Sequence, residues 1–209
     1  MKKLIFIILI VLIGIGSTVF YFSVLKEKQL CFNLHQKGKT GKVFDQWAYF
    51  KHQENLFSAT FPLLPQPLKR TLPVPGNDAD LPYHEYQCLV EENKLYSISY
   101  TILPDTWLKW GNSLVLKGAL KVILKELGKV NLVGKDSNTF KSFPALDYEH
   151  YSGEKETVGT LILIENRLYK VEVTYPLNER QQVQEKICYF IEQFTPNITE
   201  PTSSSQKTH

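Results

Sequence analysis

The sequence has little of what usually announces chemistry. Three cysteines, Cys31, Cys88 and Cys188, are spread through 209 residues. They form neither a C-x-x-C pair nor a cluster with histidine, which argues against a zinc site. Cys88 falls in an apolar strand pattern and Cys188 in a helical one, where a buried thiol acts as a small hydrophobe. A Cys88–Cys188 bridge is the alternative and would need an oxidising compartment. Charge of one sign is also scarce. The formal charge is +3, of which Lys2 and Lys3 supply two, leaving +1 from Lys26 onward. A duplex-binding domain shows a clear basic excess, so nucleic acid is not expected as a partner. There is no nucleophile elbow, no metal-ligand spacing and no complete phosphate loop. Gly38-Lys39-Thr40 resembles the end of such a loop, but Asn33 stands where its first glycine belongs and no strand precedes it. No catalytic, cofactor-binding or metal-binding residue is therefore assigned, and no cofactor is expected.

What the chain does have is a long apolar start. Leu4 to Leu25 is 22 residues without a charge, which as a helix spans about 33 Å and matches a bilayer's hydrocarbon core. Residues 1–25 are expected to be a single-pass membrane anchor. A cleaved signal peptide is the alternative, with Lys2-Lys3 as its basic start and Gly14-Ile15-Gly16 as small residues near a cleavage point. The apolar core of such a signal usually ends after roughly 7–15 residues, whereas here it runs on through Val19 to Leu25. For orientation, Lys26, Lys28, Lys37, Lys39 and Lys42 follow the run, and a literal positive-inside count leaves the domain cytosolic. The short basic start is how export signals begin, and an extracytoplasmic domain is the expectation adopted.

Residues 26–42 form a polar linker, 43–194 a folded domain and 195–209 a Ser- and Thr-rich disordered tail, in which Asn197-Ile198-Thr199 matches a glycosylation acceptor. A domain of about 150 residues buries roughly 70% of its unfolded surface, enough for one core without staples. Inside it lies an internal echo: Glu92-Asn93-Lys94-Leu95-Tyr96 recurs as Glu165-Asn166-Arg167-Leu168-Tyr169, 73 residues later. Each copy continues as a half-buried strand. Tyr96, Ile98, Tyr100 and Ile102 alternate with Ser97, Ser99 and Thr101; Tyr169, Val171, Val173 and Tyr175 alternate with Lys170, Glu172 and Thr174. Each is preceded by a strand, Tyr83–Val90 or Val158–Ile164, across a Glu-Asn hairpin turn in which Asn tolerates positive φ.

Each copy then ends in a proline and enters a helix, with Asp105 and Asn178 as N-caps and Gln181 completing a capping box. The first helix is expected from about Asp105 to Leu127, with Leu116, Leu120, Ile123 and Leu127 as its apolar stripe. The second carries Val183, Ile187, Phe190, Ile191 and Phe194 on one face. Further strands are expected at Leu56–Phe61, Lys129–Gly134 and Leu146–Tyr151, and a long loop at Pro62–Leu81. Two strand-strand-helix units give an α+β fold: a mainly antiparallel sheet with helices packed on its faces, preceded by one N-terminal transmembrane helix. Val158–Ile164 is apolar on both faces, so it should be central and covered on both sides.

The order FSATFP, a Pro-rich loop, ENKLYSISYTILP, FPALDYEHY, then ENRLYKVEVTYP and a final helix resembles the PsbP-like α+β sandwiches, over roughly Leu56 to Phe194. That family includes photosystem subunits, a Ran-binding protein and many exported bacterial proteins. The resemblance implies a binding or assembly scaffold more often than an enzyme, and it maps no functional residue onto this chain.

The candidates for chemistry are few. Asp147-Tyr148-Glu149-His150 and His84-Glu85 place histidine beside acid, but neighbours on a strand point to opposite faces. These residues are expected to be solvated polar positions. On the first helix Lys109, Lys117, Lys121 and Lys125 recur at multiples of four. Lys117, Lys121 and Lys125 are the candidate face for an anionic partner, either lipid or an acidic protein, with a merely solvated face as the alternative. Trp107 and Trp110 near the helix start are expected in the core or at its rim. The function expected is a membrane-tethered, non-enzymatic binding or assembly module of the cell envelope. A membrane-tethered hydrolase using a His–acid pair, and an inert structural subunit, are the alternatives.

Overall fold

The computed structural model describes residues 44–72 and 80–197. The apolar run at 4–25, the linker, Cys31 and the tail from 198 lie outside the described residues. Among those described, no helix is long and apolar enough to cross a membrane.

The chain runs β1 (Ala48–Lys51), β2 (Phe57–Phe61), β3 (Gln66–Leu72), β4 (Leu81–Val90), β5 (Lys94–Ile102), α1 (Asp105–Leu108), α2 (Asn112–Glu126), β6 (Asn131–Phe140), β7 (Phe143–Ser152), β8 (Lys155–Ile164), β9 (Arg167–Pro176), a 3-10 turn (Leu177–Glu179), α3 (Arg180–Gln193) and β10 (Thr195–Pro196). Seven strands form one sheet in the order β3-β4-β5-β9-β8-β7-β6, and β1-β2-β10 form a small one. Every pairing is antiparallel. Helix α2 packs on β7 and β8, while α3 packs on β8 and β9 from the other side and also touches β2. The fold is the expected α+β class, and both strand-strand-helix units are present.

The period-two alternation decides which residues meet which helix. Tyr96, Ile98 and Tyr100 of β5 and Tyr169, Val171, Val173 and Tyr175 of β9 join Val183, Ile187, Phe190 and Phe194 and the small sheet's Phe57 and Phe61 in one core. Phe190 is edge-on to Phe61 at 5.1 Å and to Tyr96 at 5.2 Å, the geometry that ring quadrupoles favour. On the opposite face Leu146 and Tyr148 of β7 and Leu161 and Leu163 of β8 pack with Leu116 and Leu120 of α2. Strand β8 is buried from Glu156 to Ile164, as its two-sided apolarity requires.

Several local expectations change. Pro62–Leu81 is not all loop: Gln66–Leu72 pairs with β4 from Gln66↔Gln87 to Leu72↔Leu81. Pro67 is tolerated there because β3 is an edge strand. The Glu-Asn turns place glutamate, not asparagine, at positive φ: Glu91 and Glu92 in the first, at 52° and 61°, and Glu165 in the second, at 54°. The first helix is broken at Gly111, whose φ of 86° no helix accepts. Neither Asp105 nor Asn178 caps: Pro104, Gly111 and Glu179 hold the N-cap positions, without side-chain bonds. Leu127 closes the expected apolar stripe but is exposed. Past Phe194, Thr195 and Pro196 pair with Ser58 and Phe57, and the Asn197 N–H donates to the Leu56 carbonyl, so the ordered chain reaches beyond the expected boundary. Cys88 and Cys188 are both buried, and no disulfide joins them.

Candidate functional site

The His–acid pairs are separated by the sheet itself. His84 lies opposite Tyr100 and stacks on it at 4.9 Å, on the α3 face, while Glu85 lies opposite Ser99 on the α2 face. His150 shares its face with Tyr148, its ring parallel at 6.2 Å. Asp147 and Glu149 turn the other way. These groups are not solvated as expected: Asp147, Glu149 and His150 are all buried. Asp147 accepts from Asn138 Nδ2 at 3.1 Å, and neither His150 ring nitrogen has a hydrogen-bond partner. Burial lowers the His150 pKa. Within each motif the histidine and its acids lie on opposite faces of the sheet, so these residues do not form the arrangement a His–acid hydrolase needs.

The structure places the lysine candidates where the helix pattern puts them. Lys117, Lys121 and Lys125 are exposed on α2, and none is ion-paired to a described carboxylate. One turn before Lys117 on the same side of α2 stands Leu114, 63% exposed; Trp110, also 63% exposed, precedes the break at Gly111 and lies outside the α2 line. Trp110 lies parallel to Trp107 at 6.4 Å, and Trp107 packs against the core under α2. The pair thus divides: one indole anchors the turn, the other faces out. Lys109 is exposed too, but precedes the break at Gly111 and does not belong to the α2 line.

Sequence reasoning missed a charged network on the α2 face. Strand register brings Glu172 of β9 between Ser97 of β5 and Gly159 of β8, with Tyr148 of β7 beyond. Tyr148 crosses over Gly159 and donates to Glu172 Oε2 at 2.6 Å; Lys170 pairs with Glu172 Oε1. The two side chains are only 15% and 13% exposed. Burial opposes both charges, yet each stabilises the other, so the lysine pKa is raised and the glutamate's lowered. Burial, and then Glu172, push the Tyr148 phenol far up. One row along, Arg70 Nε lies 3.3 Å from Glu85 Oε2. Two signals pointed here: a strand covered on both faces leaves its neighbours' polar positions nowhere to be solvated, and a glycine inside a strand marks a close approach.

A second buried charge group lies on the α3 face. Arg180, at the start of α3, reaches Glu156 Oε1 at 2.8 Å and Glu149 Oε1 at 3.2 Å. Tyr151 donates to Glu149 Oε1 at 3.2 Å. One guanidinium thus serves two buried carboxylates. Burial, the hydrogen bond with Glu149 and its charge, opposed by Arg180, push the Glu156 carboxyl up to about 7. Among the described residues no group of histidine, cysteine and acid is arranged to hold a metal.

No family model matches the chain, and no curated protein does. Among solved structures it is similar to cyanobacterial PsbP (CyanoP) from Synechocystis sp. PCC 6803, at 11% identity and a TM-score of 0.49, covering 77% of this chain and 98% of that one. It is similar to PA94, a Pseudomonas aeruginosa protein of unknown function, at 10% identity and a TM-score of 0.41, covering 73% and 99%. A third is LpqN, described as involved in cell envelope biogenesis of Mycobacterium tuberculosis, at 14% identity and a TM-score of 0.41, covering 75% and 82%. The first bears the PsbP name of the resemblance drawn from the order of strands and helices. No residue role is carried across at these identities.

Proposed function

We propose that the chain is a membrane-tethered binding or assembly module of the cell envelope, and that the α2 face bearing Lys117, Lys121 and Lys125 meets the anionic headgroups of a bilayer. The observation that carries this reading is exposed Leu114 on the same helix as the three exposed lysines, with exposed Trp110 just ahead of that helix in the chain. An indole and a leucine settle at the headgroup boundary, while each lysine near an anionic surface contributes about 1 kcal/mol that salt weakens. The expected tether fits this reading: 17 residues, the length of 26–42, would as a random coil have a root-mean-square reach of about 23 Å, which would make the bilayer an intramolecular partner of the domain.

The test is quenching of tryptophan fluorescence by brominated lipid, with the full chain in nanodiscs. Quenching should be stronger in phosphatidylglycerol than in phosphatidylcholine discs, and the difference should vanish at high salt and in the K117Q/K121Q/K125Q variant. Equal quenching in both lipids, or in wild type and variant, would show a solvated helix face or a face for an acidic protein, and the lipid reading would be abandoned.

A further inference from the structure

On the α2 face of the sheet, β5 presents only Ser97, Ser99 and Thr101 between the larger side chains of β4 and β9. The resulting trough, closed on one side by the last turn of α2, is an open cleft of about 280 Å³, near the lower end of ligand pockets at roughly 300–1,000 Å³. Its two walls have opposite hydrogen-bonding character. The sheet wall carries Arg70, Lys170, Tyr83 and Ser99. Among the described residues Arg70 is paired only through Nε to Glu85, so its terminal amino groups keep their donors. Lys170 has three N–H donors, of which Glu172 takes one. Glu85 and Glu172 are already committed to these cations, and this wall offers donors to a ligand. The helix wall carries Glu126 and lies at the C-terminal end of α2, the negative end of its dipole. Ile123, Leu127 and Leu168 supply apolar surface, which gives the exposed Leu127 a use.

A simple anion suits the sheet wall but meets Glu126 and the helix end; a simple amine meets the reverse conflict. We propose that the cleft binds a small zwitterion of the α-amino-acid class, its carboxylate on Arg70 and Lys170, its ammonium on Glu126, and its side chain against Ile123, Leu127 and Leu168. This site is independent of the lysine face and does not need a membrane.

Ligand-observed saturation-transfer NMR on the full chain in phosphatidylcholine nanodiscs tests it, with empty discs as blank. The probes are L-leucine, isocaproate, which is leucine without its ammonium, and isoamylamine, which is leucine without its carboxylate. Leucine should bind at least about tenfold more tightly than either, a difference of about 1.4 kcal/mol. Glu126→Gln should weaken leucine roughly threefold, as expected for an exposed pair, and spare isocaproate. Arg70→Lys keeps a charge beside Glu85 but loses the planar fork, and should weaken leucine and isocaproate together. No detectable leucine binding, leucine binding no tighter than its analogues, or leucine binding unchanged in both variants would each overturn the proposal.

Discussion

Replacing Glu156 with glutamine should flatten the pH dependence of stability. Glu156 is 0% exposed; burial and the neighbouring Glu149, partly offset by Arg180, push its carboxyl from the ordinary 4.5 up to about 7. A carboxyl whose folded pKa is raised binds its proton more tightly folded than unfolded. Its contribution to stability is therefore full below about pH 4.5 and is lost progressively as pH rises to 7. At about 1.36 kcal/mol per tenfold change in proton affinity, the rise from 4.5 to about 7 corresponds to a loss of about 3 kcal/mol. For a chain of this size that corresponds to about 6–12 °C in Tm. Glutamine has nearly the same shape, accepts from Arg180 through its oxygen and has no proton to lose. Thermal unfolding of both full-length chains in neutral detergent from pH 4.5 to 8 is the assay. Wild type should lose stability relative to E156Q across that window, with the curves parallel above it. Curves that stay parallel from pH 4.5 to 8 would refute the claim that this buried carboxyl carries a proton near neutrality.

Gly159→Ala should destabilise the domain by about 1–3 kcal/mol, the usual cost of overpacking. A Cβ there would lie 2.7 Å from both Glu172 Cβ and the Tyr148 hydroxyl, and an unchanged Tm would mean that Tyr148 does not cross at this point. The chain should also stay with membranes through high-salt and alkaline washing, because a run of 22 uncharged residues is held by apolar burial rather than charge; release by either wash, or a mature N-terminus near Ser17, would remove the anchor from the proposal.

The parts of the fold legible in the sequence were those set by local periodicity. Tyr96, Ile98 and Tyr100, and the matching Tyr169, Val171 and Val173, alternate strictly and are core; the Val183-to-Phe194 stripe of α3 is buried as its spacing requires. Strand β3 was illegible because Lys69, Arg70 and Thr71 have no apolar alternation, and only its ladder to β4 makes the segment a strand. The break at Gly111 was visible as a residue but not as a conformation. The network around Glu172 was hidden for another reason. Lys170 and Glu172 look solvated when β9 is considered alone, and only the register of five strands reveals Tyr148, Ser97 and Glu85 as their neighbours. The lysine face was legible because helix periodicity alone determines it, whereas the cleft beside it depends on small residues of a strand distant in sequence.

The two ends of the large sheet bear on how copies of this chain behave when crowded. Unpaired strand edges recruit like edges. One edge, β3, begins Gln66-Pro67, and a proline has no backbone donor to offer an incoming strand. The other, β6, shifts register between Leu132 and Gly134 and exposes Lys135 and Asp136, so a second copy would meet an irregular ladder and charged side chains. Open-ended polymerisation through the sheet is thereby discouraged at both margins, and crowded copies can remain separate folded units.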